Sequence, residues 1–187
     1  NVSDDLKKDM EEILNAILRC QKIVSNFREF SATDGNPNSS ATSSTNWEEV
    51  INKTLPLLKS SLRRHKIEVV DSTCKRTSIQ TEVGVLQQVL FNILNNACQA
   101  LTESGEIILS VREEGRELIL SVEDNGPGVS ETISSRIFEP FYTTKNESEG
   151  TGLGLSICRK LIRKLGGELE LDRSFVGGAR FNVRLPL

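Results

Sequence analysis

Two glycine clusters, D-N-G-P-G at 124–128 and G-T-G-L-G-L at 150–155, bound a stretch with no helical or strand period. Connections in compact domains usually run about 4–6 residues, so a loop of this length calls for a functional reason. The second cluster opens directly into a helical pattern. Gly150, Thr151, Gly152, Leu153 and Gly154 would therefore turn free backbone N–H groups, and the positive end of a helix dipole, toward the loop. That arrangement suits phosphate. No G-K-[ST] follows, and the glycines come after a loop rather than a strand, so neither the P-loop nor the dinucleotide fingerprint applies. Either cluster alone is weak evidence, because turns and caps use glycine routinely. Together, around a long loop, they favour a nucleotide lid over a structural loop.

Asp124 ends a strand pattern at the edge of this loop. Its carboxylate could accept a hydrogen bond from an exocyclic amine such as that of adenine; the sequence D-N-G suits an Asx turn equally well. Asn92, Asn95 and Asn96 lie inside an otherwise apolar helical segment, where asparagine is a poor helix former and costly to bury unpaired. Asn92 and Asn96, one turn apart, share a face and could offer oxygen ligands to a hard cation such as Mg²⁺. Asn95 is expected to point elsewhere, into packing or a polar network.

The elements that would hold these residues follow from periodicity. Residues 82–101 read as a helix with Val85, Leu86, Val89, Leu90, Ile93, Leu94 and Ala97 on its apolar face. Residues 107–111 and 118–122 read as a hairpin joined by E-E-G-R. A helix over 153–165, the break Gly166–Gly167, and strands over 168–172 and 180–185 close the chain. Upstream, 47–64 reads as a helix with a kink expected at Pro56, and 67–70 and 78–81 as strands. Strands in one sheet with three helices on a face make an α+β sandwich. Residues 3–30 form a separate heptad-like amphipathic helix, with Leu6, Met10, Ile13, Ile17, Cys20, Val24 and Phe27 as a seam widened by Leu14, Leu18, Ile23 and Phe30. That width suits a helical bundle. Residues 32–46 lack large apolar side chains and read as a flexible linker, so the domain is expected to begin at Trp47.

Composition excludes several classes. The chain has 187 residues, 37% hydrophobic and 26% charged, enough for one domain and an appendage. Its net charge of −3 argues against a nucleic-acid partner. No apolar run reaches the roughly 20 residues needed to span a bilayer, and no signal peptide is present, so a cytoplasmic location is expected. Any membrane attachment would belong to segments upstream of Asn1. Cys20, Cys74, Cys98 and Cys158 lack C-x-x-C spacing and read as buried, reduced thiols.

With these motifs in order, the chain resembles the sensor histidine kinases of two-component systems. Q-Q-V-L-F-N-I-L-N-N-A-C-Q-A-L at 87–101 resembles their asparagine box, and 124–128 their first glycine box. I-F-E-P-F-Y-T-T-K at 137–145 resembles the phenylalanine box, 150–155 the second glycine box, and G-G-A-R-F at 177–181 the closing strand pair. The resemblance spans 47–187 and implies the Bergerat-type ATP-binding sandwich, a mixed sheet with helices on one face. Carried over by position, it implies that Asp124 recognises adenine and that Asn96, helped by Asn92, holds Mg²⁺ with the ATP phosphates. Gly126 and Gly128 would line the nucleoside site. Phe138 and Phe141 would anchor the lid, Lys145 would reach the phosphates, and Gly152 and Gly154 would let lid and helix approach them. Many members have Lys or Arg where this chain has Gln99, and Gln99 cannot supply that charge. The ATP-hydrolysing relatives place a glutamate base where Asn92 stands. An amide cannot take the proton, so ATP is expected to be held without efficient hydrolysis.

The lone histidine, His65 in L-R-R-H-K-I-E-V, does not match the family's phosphoacceptor pattern and reads as an ordinary surface residue. Residues 1–31 instead resemble the second helix of the dimerisation and phosphotransfer hairpin, the first helix, with its histidine, lying upstream. The reading is a catalytic fragment of a histidine protein kinase that binds Mg-ATP and does not phosphorylate itself. In the full protein it would work as a homodimer through the bundle helix, relaying phosphate to a response-regulator receiver domain. The alternatives are an ATPase on the same fold or a nucleotide-binding scaffold without catalysis.

Overall fold

The computed structural model describes Met10 and residues 43–64, 67–73, 78–101, 104–145 and 150–187. The heptad seam apart from Met10, most of the linker, Cys20, His65, Cys74 and the loop tip at 146–149 lie outside the described residues. The elements are β1 (Ser43–Asn46), α1 (Trp47–Arg64), β2 (Ile67–Thr73), β3 (Ser78–Thr81), α2 (Val83–Ala100), β4 (Gly105–Glu114), β5 (Glu117–Asp124), α3 (Glu131–Ser134), α4 (Gly154–Lys164), β6 (Glu168–Leu171) and β7 (Ala179–Pro186).

Five strands form one mixed sheet in the order β2-β4-β5-β7-β6. β2 runs parallel to β4, and the other neighbours are antiparallel. Alternation puts Ile107, Leu109 and Val111 of β4, Leu118, Leu120 and Val122 of β5, and Phe181, Val183 and Leu185 of β7 on one face, all buried. That face is covered by α2 and α4, with α1 packed along α2. The opposite face is mostly polar, with Ile119 of β5 buried on it. There Arg112 donates to Ser121 at 3.0 Å, Ser121 donates to Asn182 at 2.7 Å, and Arg184 donates to Glu170 at 2.7 Å. The α+β sandwich with helices on one face is therefore the observed fold. Leu120 sits fully buried at its centre. Leu120→Ala is expected to cost about 2–5 kcal/mol through lost burial and a residual cavity, read as a lower urea midpoint at unchanged slope.

One boundary departs from the sequence reading. Ser43–Asn46, assigned to the linker, is a strand paired antiparallel with β3, Thr45 opposite Ile79. Nothing in S-S-T-N marks a strand by itself; the pairing comes from β3, which buries Ile79 and Thr81 against the same core. Asn46 then caps α1, its Oδ1 accepting from the Glu49 backbone N–H at 2.9 Å. The helix assignment continues through Pro56. Cys98 and Cys158 are buried thiols outside any disulfide, as expected, and burial pushes the Cys98 thiol above its ordinary pKa. No helix among the described residues is long and apolar enough to cross a membrane.

Candidate nucleotide site

Between α2, the end of β5 and the segments 128–145 and 150–155 lies a cavity of about 470 Å³. That volume falls within the roughly 300–1,000 Å³ usual for small-molecule sites. Its lining combines apolar side chains, Phe91, Val129, Ile133, Ile137 and Phe181, with a stripe of amides on α2. The buried face of α2 carries Leu86, Val89, Leu90, Ile93, Leu94 and Ala97. Its packing against the sheet fixes which side chains are left for the cavity.

The polar ones are Gln88, Asn92, Asn95, Asn96 and Gln99; Phe91, Ala97 and Ala100 line it as well. Asn95 thus lines the cavity, contrary to the expectation that it points elsewhere. At about 100° per residue, positions 92, 95, 96 and 99 fall within roughly a quarter of the helix circumference, so Asn95 flanks the same stripe from the other side. Gly154, the first residue of α4, faces Asn92: a Cβ added there would lie 3.5 Å from Asn92 Oδ1. The amide stripe and the N-terminus of α4 therefore meet in one corner.

Asp124 lines the same cavity. The alternation that buries Leu118, Leu120 and Val122 carries Asp124 to the same inward face, where it is 6% exposed and lines the cavity. Its Oδ1 accepts from the Gly126 N–H at 2.9 Å and from the Ala179 N–H at 3.3 Å. The first bond is the Asx turn that D-N-G allowed, so the turn and the cavity-facing carboxylate coexist. Burial raises the Asp124 pKa above its ordinary value, and the two backbone hydrogen bonds oppose part of that rise. Gly126 supports the turn from outside the cavity lining, and Gly128 lines it.

The lid margins pack on each other. Gly150, Thr151, Gly152 and Gly154 line the cavity, whereas Leu153 is 2% exposed and lies outside its lining. Gly152 has a φ of +66°, and a Cβ there would overlap the Phe141 backbone. Phe141 itself has a φ of +66° and is 66% exposed. Its ring is therefore not the apolar lid anchor that the sequence suggested; what fixes this residue is backbone contact with Gly152. Phe138 also stands outside the cavity lining. Its ring meets Phe181 edge-on at 6.4 Å and lies under the Arg159 guanidinium at 4.7 Å. It buttresses Phe181, which does face the cavity. The direct apolar contacts come from residues the sequence reading passed over. Val129, Ile133 and Ile137 recur every four residues, and the only prior signal was this helical spacing around the Ser130 cap of α3.

Lys145 reaches across from the lid, its Nζ donating to Asn96 Oδ1 at 3.2 Å and to Gln99 Oε1. The Asn96 oxygen is thus already turned toward a cation. No group of three or more His, Cys, Asp or Glu among the described residues could cage a metal. Neutral amide oxygens do fit Mg²⁺, which keeps waters and takes further ligands from phosphates.

Residues 81–187 match the family described as histidine kinase-, DNA gyrase B-, and HSP90-like ATPase. The chain is 41% identical over 142 residues to the two-component sensor PprA of Pseudomonas aeruginosa, covering 71% of this chain and 15% of that protein. It is 31% identical over 189 residues to the C4-dicarboxylate transport sensor protein DctB of the same organism, covering 98% of this chain and 30% of that protein. The chain thus spans less than a third of either curated relative. Among solved structures, histidine kinase ThkA in complex with response regulator protein TrrA aligns with a TM-score of 0.76 at 28% identity, covering 97% of this chain and 51% of that chain.

Proposed function

The chain belongs to the histidine kinase-, DNA gyrase B-, and HSP90-like ATPase family, and we propose that it is the ATP-binding catalytic part of a sensor histidine kinase, passing the γ-phosphate of ATP to a histidine on a bundle helix. One observation carries this: a buried carboxylate and a stripe of neutral amides line a single cavity, with the start of α4 beside Asn92. In this reading Asp124 accepts from the exocyclic amine of adenine while the apolar side chains sandwich the ring. Asn92 and Asn96 offer amide oxygens to Mg²⁺, and the N–H groups around Gly150–Gly154 take the phosphates. Mg²⁺, held there by Asn92 and Asn96, would offset the charge of the phosphates. Asn92 cannot act as a base for water, so the chain positions and shields ATP until another nucleophile arrives.

The catalytic unit, set at 47–187 from the sequence, takes in β1 as well; the resemblance of residues 1–31 to a dimerisation hairpin helix rests on sequence, since all but Met10 lie outside the described residues. The bundle makes the parent protein a dimer, and a receiver domain of a response regulator takes the phosphate onward, a reading in keeping with the complex of histidine kinase ThkA with response regulator protein TrrA.

The test is incubation of the chain with γ-labelled ATP and Mg²⁺, with and without a separate chain carrying a histidine-bearing dimerisation hairpin. Label is expected on the added hairpin only, in acid-labile form, with little free phosphate. Rapid phosphate release by the chain alone would favour the ATPase reading. Label on the chain itself would make His65 the acceptor. No label on the hairpin at saturating, verified nucleotide occupancy would overturn the kinase assignment.

A further inference from the structure

We infer that one face of α4 forms a second binding groove, apart from the nucleotide cavity, for a small anion that carries several phosphate groups. The inference does not depend on the nucleotide-site reading.

The groove has a volume of about 430 Å³, within the roughly 300–1,000 Å³ usual for small-molecule sites. It takes Phe138 and Pro140 from the segment after α3 and, from α4, Ser156 with four cations, Arg159, Lys160, Arg163 and Lys164. Positions 156, 159, 160, 163 and 164 follow the spacing that gathers residues on one side of a helix. No carboxylate is among the described residues that line the groove. Cations in the last turn complement the helix dipole, which accounts for Arg163 and Lys164 but not for Arg159 or for the concave shape. Arg159 is partly buried, its guanidinium 4.7 Å from the Phe138 ring centroid. Its ion pair with Glu168 is long, at 3.7 Å, and its Nε is buried with no hydrogen-bond partner. A buried donor left unmet is costly, so a bound acceptor would be favoured there. Arg163 and Lys164 are exposed, and their side chains make no hydrogen bond or ion pair with the described residues. Guanidinium forks match phosphate oxygens, and ammonium groups add point charge. The cations from 159 to 164 span about 7.5 Å of helix, so a single phosphate would leave some of them unmet, whereas a short chain of phosphates would reach along the stripe. The chain's net charge of −3 repels a long polyanion, which favours a ligand small enough to lie within the groove. Phe138 links the two sites, since it lines the groove and meets Phe181 of the nucleotide cavity edge-on at 6.4 Å.

The test titrates tripolyphosphate into the chain in EDTA and follows backbone amide NMR shifts, so that binding on α4 and binding beside the amides of α2 are read separately. Wild type is compared with Arg163→Glu/Lys164→Glu and with the charge-preserving Arg163→Lys/Lys164→Arg. In wild type, amides at 156–164 are expected to shift saturably. Reversal of the two charges is expected to weaken that binding at least about tenfold, the scale of one lost charge-assisted hydrogen bond. The charge-preserving variant is expected to stay within about threefold of wild type. Absence of saturable shifts on α4 in wild type would overturn the inference, as would unchanged affinity after charge reversal. An equal loss in the charge-preserving variant would overturn it too, since shape rather than charge would then hold the ligand. Binding of a glutamate-rich peptide on α4 where tripolyphosphate fails would assign the groove to a protein segment and refute the ligand class.

Discussion

Asp124→Asn is expected to leave the fold intact and to weaken ATP binding by about 10- to 100-fold. The reason is that the two oxygens of this carboxylate have separable duties. Oδ1 accepts from the backbone N–H groups of Gly126 and Ala179, and an asparagine oxygen can do the same. Replacing Oδ2 by an NH₂ sets a donor against the donor amine of adenine. A hydrogen bond to a charged group is worth roughly 1.5–3 kcal/mol, and each 1.4 kcal/mol is about tenfold in affinity. A purine with a 6-oxo group in place of the amine offers an acceptor there, so inosine triphosphate is expected to gain on the variant as ATP loses. Titration of both nucleotides against both proteins decides it; ATP affinity within twofold of wild type would remove Asp124 from adenine recognition.

The same residue sets a pH dependence. Because burial raises its pKa in the folded protein, Asp124 takes up its proton on acidification before an ordinary aspartate would. ATP affinity is therefore expected to start falling at a higher pH than unperturbed carboxylates titrate. Stability of the nucleotide-free protein runs the other way. The folded state binds this proton more tightly than the unfolded state, so Asp124's contribution is largest below its ordinary value of 3.8 and is lost as pH rises from there through the raised value. Asp124→Asn should abolish both dependences, which denaturant unfolding and nucleotide titration across that window would read.

Gly178→Ala is expected to be the most damaging single-methyl change near the site. A Cβ on Gly178 would overlap the backbone carbonyl of Asp124, and the Gly178 carbonyl would in turn lie 2.7 Å from a Cβ on Gly128. Here β5 and β7 come together with Asp124 opposite Ala179. Backbone cannot rotate out of the way as a side chain can, so the start of β7 must leave β5 and give up the Ala179 bond to Asp124. A loss on the order of 3 kcal/mol is expected, lowering Tm by about 6–12 °C for a chain of this size, with nucleotide affinity falling in the same variant. Gly84→Ala is the matched control. It lies in α2 with no atom within 4 Å of an added Cβ, so helix propensity predicts a small gain of about 0.5–1 kcal/mol. Equal Tm values for the two variants would contradict the close approach of β5 and β7.

Much of the fold was legible because its signals are local. The helix over 82–101 follows from an apolar face repeating at 3.6 residues, and the hairpin at 107–122 from alternation around E-E-G-R. Even the inward direction of Asp124 is implicit in that alternation, since Leu118, Leu120, Val122 and Asp124 share parity. The glycine clusters declared themselves by type and spacing.

What escaped is what depends on partners distant in the chain. Ser43–Asn46 has no strand signal, and becomes one because Ser78–Thr81 offers it an edge. Phe138 and Phe141 look alike in sequence. One is packed behind Phe181 and the other is turned outward by a left-handed backbone against Gly152. Asn95 looked like a bystander until the packing of α2 on the sheet fixed the helix rotation and left it beside Asn92, Asn96 and Gln99. By itself, then, the sequence determined the elements, the amide-bearing helix, the glycine-bounded loop and the residue types for a nucleotide site. Tertiary structure alone decided which of them share the cavity and that Lys145 stands on Gln99. A helix's rotation and a loop's course are set by long-range packing energies, and no periodicity within either segment encodes them.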